Sequence, residues 1–208
     1  MNLLENFINE CDIALKTLSF KKSGTGRLYP ANEAPSSLSK EEKNLSAQLM
    51  RVNLAGEVAA QALYRGQAMV CKDAEIKNHL VQAGEEETDH LIWCKKRLEE
   101  LNGKPSILNP VWYAGSFAIG AIFGSFGEKT SLGFVEETEK QVVKHLERHL
   151  DKVSKNDTQT IEILKTMRAD EDEHAQEAVE NGSESLSQPT KKLMSFTAKV
   201  MTSSSAYI

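Results

Sequence analysis

Two copies of one short pattern constrain this chain most. Glu87 and His90 in "EEETDH" repeat the E-x-x-H spacing of Glu171 and His174 in "MRADEDEH". On a helix, residues three apart share a face, so each pair offers a carboxylate and an imidazole to one neighbour. Either pair alone reads as a solvated helix face, because Glu and His meet at this spacing by chance. Position separates the two readings. In an antiparallel helix hairpin, residues equidistant from the turn lie at the same height. Glu57 and Glu87 are centred on residue 72, where polar residues mark a turn, and Glu139 and Glu171 are centred on residue 155, inside "SKND".

Facing agrees with height. Glu57 falls in line with Met50, Leu54 and Tyr64, and Glu87 with Leu80, Leu91 and Cys94. Glu139 joins Val135, Val142 and Leu146, and Glu171 joins Leu164, Met167 and Ala175. A carboxylate that interrupts an apolar stripe points at the core. Glu136 and Glu137 sit nearer the edge of their stripe; Glu139 is preferred, with Glu136, one turn away, left open. Four inward carboxylates would repel one another and lose solvation, and two divalent cations would cancel that charge. One Glu from each of two helices and an E-x-x-H from each of the other two is the ligand set of di-iron and di-manganese bundles. Oxygen and imidazole donors suit those metals. His79, His145 and His149 have no comparable partners and read as surface or core residues.

No segment alternates apolar and polar residues strongly enough to demand a strand, so the chain is expected to be all-α. Ser39 with Glu42 signals a capping box, opening a helix to about residue 70. Further helices are expected over about 74–101, 129–153 and 158–181, giving two hairpins and a four-helix bundle. An amphipathic helix is expected at the N-terminus, and another short one after Pro189. Residues 1–38 are read as an N-terminal helix and loop, and 39–208 as the bundle domain. The Gly-Thr-Gly within "KKSGTGRLYPANEAPSSL" lacks the flanks of a phosphate cradle, and the loop carries no evident chemistry. A net charge of −5 gives a nucleic-acid partner no electrostatic support. Cys11, Cys71 and Cys94 are scattered with no CxxC, which argues against a disulfide framework or thiolate site and suits a reducing compartment.

Between the hairpins, residues 106–127 include "ILNPVWYAGSFAIGAIFGSF", long enough to span a bilayer. A single crossing would put Glu57 and His90 on one side and Glu139 and His174 on the other, so spanning is incompatible with one site. The segment is expected to lie at a membrane surface or dip into one leaflet, with Trp112 and Tyr113 near the headgroups. The alternative is a crossover helix packed through Gly120 and Gly124.

In their order, "RVNLAGEVAAQALYRGQ", "EEETDHLIWC", "LNPVWYAGSFAIGA", "SLGFVEETEKQVVKHLERHL", "MRADEDEH" and "AKVMTSSSAYI" resemble the demethoxyubiquinone hydroxylases of ubiquinone biosynthesis, over roughly residues 45–205. The resemblance implies a ferritin-like bundle holding two Fe ions on Glu57, Glu87, His90, Glu139, Glu171 and His174. Its spacing of six from a glutamate to a helix histidine is met by Glu139 and His145, which favours Glu139. Leu54 and Leu146 depart from a histidine and a tyrosine found in members of the family. The implied activity is O2-dependent hydroxylation of the ring of a demethoxyubiquinone-type polyprenyl quinone, with NADH as external reductant. It also implies a peripheral position on the cytoplasmic face of the cell membrane; a lipid-presenting accessory protein and a homo-oligomer are compatible with it. The competing reading is a soluble ferritin-like protein that oxidises iron or detoxifies peroxide.

Overall fold

The computed structural model describes residues 3–31 and 37–208, so residues 1–2 and 32–36 of the expected N-terminal region lie outside the described part. Among the described residues there are seven helices and no strand: α1 (Leu3–Leu18), α2 (Lys40–Val70), α3 (Ala74–Glu100), α4 (Asn109–Gly124), α5 (Glu128–Lys152), α6 (Thr158–Glu180) and α7 (Gln188–Ser205). Three of the four long helices begin where side chains satisfy free N–H groups, and α5 begins at Gly127 without such a cap. Ser39 and Glu42 form the expected capping box of α2, Asp73 caps α3 and Asp157 caps α6.

α2 and α3 pair as one hairpin and α5 and α6 as the other. Apolar stripes from both hairpins meet in a core built around Met50, Leu54, Trp93, Leu98, Leu164 and Met167, all essentially without solvent exposure. Leu54 and Leu146, the two departures from the family pattern, fill space in this core. Arg97, buried on α3, crosses to the α5–α6 turn and donates to Asp157, Gln159 and Thr160. This network fixes the height of one hairpin against the other, which the symmetry of each hairpin about its own turn leaves open.

The apolar segment forms a single helix, α4, laid along α2. Contact is made backbone to backbone. A Cβ on Gly120 would lie 2.2 Å from the Leu63 carbonyl oxygen, and one on Gly66 2.1 Å from that of Phe117. Gly124 similarly abuts Gln67 and Val70. Tyr113 is buried, and the Trp112 indole N–H donates to Ser205 Oγ of α7 at 3.0 Å. These aromatics therefore face protein rather than headgroups, and the outward stripe comprises Ile107, Val111, Ala114, Ala118, Ile122 and Phe126. No helix among the described residues is long and apolar enough to cross a membrane.

Gly120→Ala is expected to cost about 1–3 kcal/mol of stability by overpacking, read as a lower urea midpoint. Gly115→Ala, in open space on the same helix, should be neutral or stabilising by up to about 1 kcal/mol through helix propensity. Equal effects of the two substitutions would refute the close α2–α4 contact.

Candidate metal centre

α2 and α5 each contribute one buried glutamate, and α3 and α6 each contribute a glutamate and, one turn on, a histidine. Glu57, Glu87, His90, Glu139, Glu171 and His174 converge in the core, none more than 4% exposed. Glu57, Glu87, His90 and Glu171 each present a ligand atom within 4.8 Å of the others. His174 joins through Nδ1, 3.2 Å from Glu87 Oε1 and 3.6 Å from Glu171 Oε2. Glu139 lies close enough to Glu171 for the two carboxyls to repel each other. Glu136 and Glu137 instead pair at the periphery with Lys140 and Lys191, which leaves Glu139 as the inward carboxylate of α5.

The arrangement has two ends. His90 Nδ1 lies 3.0 Å from Glu87 Oε2, 3.2 Å from Glu171 Oε1 and 3.8 Å from Glu57 Oε2. Glu87 and Glu171 thus turn one oxygen towards each histidine, as bridging carboxylates would. Glu57 accompanies His90 at one end, and Glu139 accompanies His174 at the other.

The donor set fits divalent metal. Glu87 Oε1, Glu171 Oε2 and His174 Nδ1 are buried and lack hydrogen-bond partners, although they face one another across the centre of the cluster. Groups of this kind need a cation or water to offset their lost hydration. The outer nitrogens are already held: His90 Nε2 is 2.8 Å from Asp170 Oδ2, and His174 Nε2 is 2.9 Å from Glu86 Oε2. An outer carboxylate that orients the ring is the usual support of a metal-bound histidine.

Electrostatics tell the same story. Burial, then repulsion by Glu87 and Glu171, pushes the Glu57 carboxyl well above the usual range; burial with Glu171 and Glu87 does so for Glu139. Desolvation acts on Glu87 too, but the His90 and His174 imidazoles outweigh it and hold its carboxyl low. Both histidines are raised well above their ordinary range, because their carboxylate neighbours overcome desolvation.

Tyr64 completes the cluster in a way the sequence reading treated only as apolar packing. Its buried phenol donates to Glu139 Oε1 at 2.7 Å. Its position two turns after Glu57 was the available signal. Asp170 and Glu86 gave none, because they act on histidines of the opposite helix. His145 and His149 stack on each other 4.0 Å apart on α5, their protonation suppressed by burial to about 4 and about 2 respectively. His79 lies beside Glu177 on the periphery.

The fold and cluster define a helical bundle whose core carries a carboxylate- and imidazole-rich centre suited to two metal ions. Residues 44–205 match the family model described as ubiquinone biosynthesis protein COQ7, and the chain belongs to that family. A Legionella pneumophila relative is 50% identical over 209 residues, covering 100% of this chain and 98% of its own. Relatives from Nitrosococcus oceani (47% over 209 residues, 100% of this chain and 98% of theirs) and Francisella philomiragia (47% over 202 residues, 97% and 96%) are similar throughout. All three are named 3-demethoxyubiquinol 3-hydroxylase.

Raised carboxyls make the metal-free protein sensitive to alkali. The unfolded chain ionises Glu57 and Glu139 in the ordinary range, whereas the folded one retains their protons, so folding is favoured below that range and stability is lost as pH rises through the raised values. The raised histidines have the same sign. Buried His145 and His149 act in the opposite sense up to the ordinary histidine range, so urea midpoints of the metal-free protein should fall between about pH 6.5 and about pH 8, less so in a Glu57→Gln, Glu139→Gln variant. A rising midpoint over that window would contradict this electrostatic account.

Proposed function

We propose that this chain is an O2-dependent di-iron monooxygenase that hydroxylates the ring of a demethoxyubiquinone-type polyprenyl quinone, the activity for which its relatives are named. The observation that carries the reading is the two-ended cluster, with Glu87 and Glu171 turned towards both histidines and their inner oxygens left without partners. Glu57 and His90 would hold one iron, Glu139 and His174 the other, and Glu87 and Glu171 would bridge them. Bound there, the pair of irons would supply activation of O2 and delivery of one oxygen atom to the ring.

The chain's own residues set the conditions for this chemistry. Asp170 and Glu86 orient the imidazoles, the Tyr64 phenol holds Glu139, and the packed core around Met50, Leu54 and Met167 keeps bulk water away. Electrons come from outside, with NADH as the proposed donor, because the chain carries no nucleotide-binding motif. The outward face of α4, with Val111, Ile122 and Phe126 exposed, and that of α7, with Leu193, Phe196 and Val200 exposed, support peripheral docking on a membrane, for which the cytoplasmic face of the cell membrane is proposed. A polyprenyl tail resides there. An accessory protein that presents the lipid, and self-association, belong to the same proposal.

Iron analysis tests the centre directly. Protein purified with its iron intact should hold close to two irons per chain, and a Glu171→Ala, His174→Ala variant should lose most of it. Cells lacking the chain should accumulate a demethoxyubiquinone, restored to ubiquinone by the parent and not by the variant. Two irons with an unchanged quinone pool would instead favour the iron-oxidising reading.

Docking is tested separately. An Ile122→Asp, Phe126→Asp variant should lose co-sedimentation with anionic lipid vesicles while keeping its iron. Undiminished vesicle binding would remove α4 from the docking surface.

A further inference from the structure

The loop that follows α1 was assigned no chemistry by its sequence, yet in the structure it runs along α3 and reaches α6 beside the metal centre. Lys22 Nζ donates to the Gly84 carbonyl at 3.4 Å. Thr25 donates to Asp89 Oδ2 through its N–H at 3.2 Å and also through its hydroxyl. A Cβ on Gly24 would lie 2.0 Å from Asp89 Oδ1, so the backbone approaches as closely as only glycine allows. Arg27 forks onto Asp170, with Nη1 2.7 Å from Oδ2 and Nη2 3.0 Å from Oδ1, and its guanidinium stands 4.9 Å from the Trp93 ring centroid. Tyr29 closes the run by donating to Glu100 at 3.2 Å, with the Lys96 ammonium 3.8 Å from its ring centroid.

The two acids gripped by the loop are the residues immediately before His90 and Glu171. Asp170 is shared: Arg27 holds it from outside the bundle, and the same Oδ2 faces His90 Nε2 at 2.8 Å. The other end of the cluster lacks this support. Glu86, which faces His174 Nε2, has a side chain 31% exposed and is otherwise held by Gln82, one turn away on its own helix. A carboxylate fixed by a bidentate guanidinium loses its freedom to rotate, and a histidine bonded to it inherits that fixity. Outer partners of this kind commonly change metal affinity by about 10- to 100-fold.

We propose that residues 23–29 form a strap in which Arg27 is a positioning residue for His90, so that the metal position of His90 and Glu57 retains its ion longer than that of His174 and Glu139. The inference rests on the two-metal reading above. Linkage makes it reciprocal: if the fastened strap favours the ion, the ion must favour the fastened strap. Occupancy of the buried centre is thereby reported at an exposed loop.

The test uses the full-length protein, stripped of metal and reloaded with cobalt(II). Release of cobalt to a chelator should have two phases in the parent. Arg27→Ala should accelerate the slow phase about 10-fold and leave the fast one, Arg27→Lys should lie between, and Glu86→Gln should accelerate the fast phase. In parallel, cobalt should slow tryptic cleavage after Lys21 and Lys22 in the parent, and this protection should be lost in Arg27→Ala. One-phase release in the parent, parental release of both ions from Arg27→Ala, or cleavage indifferent to cobalt would each overturn the strap while leaving the centre in place. A parent that takes up no cobalt would overturn the metal reading and the strap with it.

Discussion

Burial of four carboxylates with only two imidazoles to face them is the constraint around which this bundle is organised. In a low-dielectric core each uncompensated charge is costly, so the helices that bring Glu57, Glu87, Glu139 and Glu171 together require cations or protons at that spot. The core on either side is dry and close-packed, and the Arg97 network fixes the relative height of the hairpins. The expense at the centre is localised where α2, α3, α5 and α6 each turn a glutamate inward. Stability and function are therefore opposed at one place, as is usual where a site demands what a core alone would avoid.

The distinction between the two ends of the cluster follows from the chain's path rather than from its ligands. Both histidines sit three residues after an inward glutamate, and both turn an outer nitrogen to an acid from the opposite helix. Among the described residues, the loop after α1 places a bidentate guanidinium on the outer acid of His90 and none on that of His174. A symmetric set of carboxylates and imidazoles is thus placed in an asymmetric surround, so its two ends are not chemically equivalent.

Much of this was legible in the sequence because it depends on regular periods. The start of α2 was written in Ser39 and Glu42, and the convergence of the glutamates followed from their equal distances to the turns at 72 and 155. The stripe of α5 favoured Glu139 but left Glu136 open, and it is the structure that pairs Glu136 and Glu137 with lysines at the edge. What escaped was whatever depends on tertiary path. Tyr113 was expected at headgroup level and is buried, because glycines on both α2 and α4 allow an approach that periodicity cannot encode. Arg27 and Asp170 lie 143 residues apart, and nothing local in either segment announces the pairing.

The glycine contacts between α2 and α4 have a mechanical consequence. Helices separated by side chains can slide by changing rotamers, but helices touching at Gly66, Gly120 and Gly124 have no such slack and must travel together. α2 also carries Glu57. The outward apolar face and the Glu57 side of the buried cluster therefore belong to a single stiff lever, and neither can be displaced without the other.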